Sequence, residues 1–160
     1  MMANWIVRIG DTKNFFNTFE GLNVWSVNSF YTKFLENVKE NDKLFFVGNK
    51  SKCKICAFAI FKSFEIRTSK TPTNEQYGWI FHGPNDNGKW KNSKWDYIMF
   101  YTNYVDFRNI QGVNLNTNIN NANCWAIMPR SIIDASGFNF DNVIVFAENY
   151  KICKFLEEIR

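Results

Sequence analysis

Residues 55–61, Ile-Cys-Ala-Phe-Ala-Ile-Phe, are apolar at every position, and no other stretch limits the fold as strongly. Successive side chains of a strand point to opposite faces, so a strand of this composition is buried on both sides. Ile55, Ala57, Ala59 and Phe61 belong to one face, and Cys56, Phe58 and Ile60 to the other. The stretch Lys43-Leu44-Phe45-Phe46-Val47-Gly48 precedes it across Asn49-Lys50-Ser51-Lys52, so residues 43–48 and 54–67 read as a hairpin. Burial of both faces in a small chain is met by a closed barrel with helices packed outside.

The remaining elements fit that frame. Residues 4–9 (NWIVRI) form a first strand, broken by Gly10-Asp11, and Asp11 is placed to N-cap a short helix over 12–19. Residues 22–27 are a short extended piece around Trp25. From Ser29, the apolar residues Phe30, Tyr31, Phe34, Leu35 and Val38 recur at helical spacing. Glu40-Asn41-Asp42 is a turn, and residues 70–94 are rich in Gly, Pro, Asn and Lys and read as loop, as does the Asn-rich run 114–123. Residues 95–107 (WDYIMFYTNYVDF) are a long strand, and residues 143–147 (VIVFA) a last short one. Residues 148–159 close the chain as a helix with Ile152, Phe155, Leu156 and Ile159 inward. The expectation is α+β, a small mostly antiparallel β-barrel flanked by helices, one domain over residues 1–160. Its predicted core includes Phe34, Leu35, Phe58, Ile60, Phe155 and Leu156.

Composition excludes several classes. With 46% apolar and 18% aromatic residues, 17 of them Phe, the chain builds a bulky core and is not disordered. No apolar run approaches the roughly 18 residues of a membrane span, and MMANWIVRIGD lacks a basic region followed by an apolar stretch. The expectation is a soluble, intracellular protein without a membrane partner. Cys53 and Cys56 form a CxxC, but Cys124 and Cys153 are isolated, and His82 is the sole histidine. A structural zinc site needs a second closely spaced ligand pair, so the cysteines read as reduced thiols, with no metal and no cofactor expected.

Catalytic patterns are absent from the sequence. Nucleophilic catalysis needs a Ser or Cys with a base and an orienting acid, and no such motif surrounds His82. The acids Asp11, Glu20, Glu65, Asp96, Asp106 and Asp134 share no recognisable motif, and neither a GxGxxG nor a P-loop occurs. Binding is expected rather than enzymatic activity. Aromatic and basic residues interleave instead: Lys50, Lys52 and Lys54 on the hairpin, and Lys89, Lys91 and Lys94 alternating with Trp90 and Trp95. Such a surface suits stacked bases and paired phosphates, with Lys50, Lys52, Lys89, Lys91 and Lys94 on the backbone. A solvated loop with one anchoring Trp is the alternative reading of the same pattern.

The segment NWIVRIGD…NVWSVNS…FLENVKENDKLFFVGNKSKCKICAFAIFKSFEI resembles the EVE domain and its relative the YTH domain, both of the PUA-like superfamily. The likeness covers residues 4 to about 107, and ENYKICKFLEEI is similar to the terminal helix of EVE relatives. Val38-Lys39-Glu40-Asn41-Asp42 matches a V-x-x-G-D turn, with Asn41 in place of Gly, and Val24-Trp25-Ser26 matches a VW-S/G element. Where many relatives carry Lys-Ser after the first strand, this chain has Ile9-Gly10. The resemblance implies a PUA-like fold with an aromatic pocket for a flipped, modified base, the partner being modified DNA or RNA; the alternatives are a nuclease or base-processing enzyme on the same fold, and a protein-interaction module that has lost its pocket. It further implies Trp25 as a pocket wall, Ser26 offering backbone groups to the base, and Asp11 on the base edge. Trp79 or Trp90 would supply the second wall.

Overall fold

The computed structural model describes residues 2–10, 12–18, 21–29, 31–48, 55–72, 75–78, 97–108, 132–134 and 140–159. The elements run β1 (Asn4–Arg8), α1 (Lys13–Asn17), β2 (Val24–Val27), α2 (Thr32–Asn37), β3 (Lys43–Val47), β4 (Ile55–Ile66), a 3-10 turn (Glu75–Tyr77), β5 (Tyr97–Asp106), β6 (Ile132–Asp134) and α3 (Asp141–Glu158). The strands form one sheet in the order β2-β5-β4-β3-β1-β6. β1 and β3 are parallel, and every other ladder among the described residues is antiparallel. The fold is therefore α+β around a mostly antiparallel sheet.

The two-sided apolar run of β4 sits where its composition demands, between β3 and β5 in the middle of the sheet. One face carries Trp5, Val7, Leu44, Phe46, Ala59, Phe61 and Met99, covered by Phe15 of α1 and Phe34 of α2. The other carries Ile6, Phe45, Phe58 and Val105, covered by Phe140, Val143 and Ala147 at the start of α3. Pairing registers shift at Phe46/Val47, at Phe58/Ile60 and at Phe61/Ser63. Such bulges bend a strand and increase its twist, and the sheet curls into a half-barrel. Among the described residues no ladder joins β2 to β6.

Asp42 ties the sheet to its surroundings. The carboxylate is 1% exposed and accepts hydrogen bonds from the Ala3 N–H (2.9 Å), the Trp5 indole N–H (3.0 Å) and the Lys39 N–H (2.9 Å). Asn41 before it adopts φ 77°, a left-handed conformation that Gly adopts freely and Asn tolerates.

Several sequence expectations are corrected. Residues 143–147 are helical, because Val143 and Ala147 lie four residues apart on one face and bury against the sheet. The β-branched run Val143-Ile144-Val145 favours a strand by local preference, and docking overrides it. The last strand among the described residues is instead β6, which lies antiparallel to β1. On α3, Ile152, Leu156 and Ile159 point outward at 58%, 50% and 63% exposure, so they are not inward, and Val145 joins them. Phe34 and Phe58 are buried as expected, while Leu35 and Ile60 are half-buried. The Phe155 side chain lies outside the described residues. The N-cap position of α1 is Thr12 rather than Asp11, left-handed at φ 77° and without a side-chain cap bond.

Candidate functional site

At the β2 end of the face covered by α1, a cleft of about 390 Å³ opens. Phe15, Phe16 and Thr18 line it from α1 and its end, Gly21 and Asn23 from the loop into β2, and Tyr101, Tyr104, Asp106 and Arg108 from β5 and its end. Two local features build it. Gly21 (φ 85°) and Asn23 (φ 50°) turn the chain from α1 into β2. Asn103 adopts φ 54° inside β5, where Phe58 pairs with Val105 but Ile60 with Thr102. In a regular strand Tyr101 and Tyr104, three residues apart, would point to opposite faces. The extra residue at the bulge brings both onto the cleft side, their ring centroids 6.0 Å apart.

The aromatic wall is continuous with the core. Phe15 meets Phe46 at 4.6 Å, Phe16 at 5.2 Å and Tyr104 at 6.0 Å between centroids. Burial pushes the phenols of Tyr101 and Tyr104 above the ordinary value of 10.0, with the neighbouring Tyr104 adding to the first and Asp106 to the second. Both rings therefore present neutral hydroxyls at physiological pH. At the rim, Asp106 accepts from Arg108 through Nη2 (2.7 Å) and Nε (3.0 Å) on one oxygen, and through the backbone N–H (2.9 Å) on the other. The Arg108 guanidinium carbon sits 3.6 Å from the centroid of the Phe16 ring, a cation–π arrangement. Its ionised form is strengthened chiefly by the Asp106 hydrogen bonds.

Trp25 lies directly behind this wall. Its half-buried ring meets Phe15 edge-on, with centroids 5.4 Å apart and planes at 73°. Ser26, the next residue, turns its buried side chain to the opposite face, where Arg67 donates to the hydroxyl through Nη2 at 2.6 Å. The two side chains therefore do not converge. The backbone of Ser26 has a different orientation. The Tyr101 backbone N–H donates to the Asn23 carbonyl and Ser26 pairs with Ile98, so antiparallel alternation turns the Ser26 N–H and C=O away from β5.

Asp11, Trp79, Trp90, Lys50, Lys52, Lys89, Lys91 and Lys94 lie outside the described residues, as do Trp95, Trp125, His82 and Cys53. Cys56 is a half-buried thiol on the bulged side of β4. Among the described residues, no group of three or more His, Cys, Asp or Glu side chains gathers as metal ligands, and no helix is long and apolar enough to cross a membrane. Sequence reasoning missed Phe15, Phe16, Tyr101, Tyr104 and Arg108 as a group. The available signal was Asp106-Phe107-Arg108, an acid and a base two apart at a strand end, downstream of paired tyrosines. Compared with known proteins, the chain matches no family model and no curated relative.

Proposed function

We propose that this chain is a nucleic-acid-binding module that takes a single flipped, modified base into the aromatic cleft, on a PUA-like fold. The observation that carries this reading is the cleft wall of Phe15, Phe16, Tyr101 and Tyr104, with Asp106 and Arg108 at its rim. Aromatic faces hold a planar heterocycle by stacking, worth about 1–3 kcal/mol per base, and that offsets the few kcal/mol needed to unstack it. The cleft falls within the range of small-molecule pockets, roughly 300–1,000 Å³. Discrimination of a methyl group needs shape rather than hydrogen bonding, and ring walls provide shape. Trp25 acts in this reading by backing Phe15, and Ser26 by its outward backbone. In this reading Asp11 and one of Trp79 or Trp90 are assigned to the base, and Lys50, Lys52, Lys89, Lys91 and Lys94 to the phosphates. The left-handed Asn41 of the V-x-x-G-D turn supports the PUA-like placement.

A thermal-shift and calorimetric screen of mononucleosides, with and without base methylation, tests the reading. A methylated nucleoside is expected to bind in preference to its parent, and failure of every nucleoside to bind would remove it. Neutralising the five lysines is expected to flatten the salt dependence of oligonucleotide binding, by about one log-slope unit for each lysine–phosphate pair removed. A second reading, a protein-interaction module, is favoured by the apolar stripe of Val145, Ile152, Leu156 and Ile159 on α3. Exposed apolar patches of this kind mark contact surfaces. Sedimentation of Leu156→Asp beside the unaltered protein tests for self-association through it.

A further inference from the structure

Arg108 is held in a way that the packing of the cleft does not require. Its guanidinium lies against the Phe16 ring at 3.6 Å and is fixed along one edge, where Nε and Nη2 donate to Asp106. A guanidinium carries five N–H donors in a planar fork. The Asp106 contacts engage Nε and one hydrogen of Nη2, which leaves Nη1 and the remaining Nη2 hydrogen along the adjoining end-on edge. The side chain is 48% exposed and Asp106 25%, so that edge stands at the cleft mouth rather than in the core. Tyr104, Asp106 and Arg108 follow one another at two-residue spacing past the Asn103 bulge, which carries the fork out along the same wall as the rings.

We propose that Arg108 receives the phosphate of the nucleotide whose base lies in the aromatic cleft, so that the site recognises a nucleoside phosphate rather than a bare base. This rests on the reading of the cleft as a base site and deepens it. The advantage of the arrangement is preorganisation. An arginine fork matches phosphate geometry through paired N–H donors, and one already oriented loses little freedom on binding. Asp106 offsets the net charge, so the selectivity comes from the directed donors and not from a positive field.

The experiment compares, on the full chain, the affinities of ribo- and deoxyribonucleosides, their base-methylated forms, the matching 5′- and 3′-monophosphates and inorganic phosphate. At least one monophosphate is expected to bind about tenfold tighter than its nucleoside, the scale of a charge-assisted hydrogen bond. In Arg108→Gln that ratio is expected to fall toward one. Arg108→Lys, which keeps the charge but loses the fork, is expected to recover only part of it. Circular dichroism melts establish that both variants fold. Should either fail to fold, Phe16→Leu, which removes the ring beneath the fork, is read in the same way. Nucleosides that bind as tightly as their monophosphates would overturn the role of Arg108 and leave the base reading standing. A phosphate gain that survives Arg108→Gln would also overturn it, by placing the phosphate on other cations. If no nucleoside or nucleotide binds, the base reading fails and this inference with it.

Discussion

Asp42 and Asp106 are both carboxylates that collect N–H donors, and their surroundings are opposite. Asp42 is 1% exposed and joins parts of the chain distant in sequence, its donors coming from Ala3, Trp5 and Lys39. Asp106 is bound by its near neighbour Arg108 and sits at the mouth of a cleft. The same group thus serves two ends. Where water is excluded, each donor depends on the carboxylate, because leaving it unpaired costs its full desolvation. At the half-exposed rim, water can replace either partner, so the pair contributes little stability and its geometry remains available to a ligand. The contrast separates a residue that holds the fold from one that the fold presents.

The largest expected effect lies on the buried side. Asp42→Ala strands three N–H groups and is expected to destabilise the protein by about 3–5 kcal/mol in denaturant unfolding. A loss under about 1 kcal/mol would put Asp42 in the same class as Asp106 and break the contrast.

Next in size is the cleft wall. Tyr104→Ala is expected to weaken base binding by about 1–3 kcal/mol, the value of one stacking face, as read by calorimetry. Trp25→Ala should weaken it through the Phe15 wall, leaving the salt slope of oligonucleotide binding unchanged because every phosphate keeps its cation. An altered slope would assign Trp25 to the backbone-binding surface instead.

Alkaline pH probes the burial of the wall. Tyr101 and Tyr104 have phenol pKa values raised by burial above 10.0. Above pH 10 the unfolded chain therefore releases protons that the folded chain retains. The stabilisation is complete below about pH 10 and declines as pH rises toward the folded values, with a limiting slope of about 1.4 kcal/mol per pH unit for each group. Denaturation midpoints measured from pH 9 to 11 should fall accordingly, and Tyr101→Phe should lessen the fall. A flat profile would mean that the wall is open to water.

Arg108→Gln is expected to have the smallest effect on stability, less than about 1 kcal/mol by thermal or denaturant unfolding, since the ion pair is half-exposed. A loss as large as that of Asp42→Ala would erase the distinction between rim and hub.

The strands that dominate the sheet were legible from residue pattern alone. The all-apolar run of β4 implied burial on both faces, and residues 4–8, 43–47 and 97–106 emerged as strands close to their predicted bounds. These features depend on period and composition, which are local. α3 shows where locality ends. Its chain carries two apolar stripes on opposite sides, Val143 and Ala147 on one and Val145, Ile152, Leu156 and Ile159 on the other. Helical spacing identifies both equally, and only docking against Phe45 and Phe58 decides which is core. β6 is three residues long, too short for any period, and exists as a strand through pairing with β1. The cleft depends on tertiary structure in the same way. Phe15 and Phe16 stand more than eighty residues before Tyr101 and Tyr104, and a bulge at Asn103 reverses the alternation that would have parted the two tyrosines. The sequence by itself determined which segments had to be buried, because burial follows from the apolar content of each segment. Which aromatic rings would share a cleft was decided only when the curled sheet, its bulges and α1 came together, because that depends on the register between distant strands.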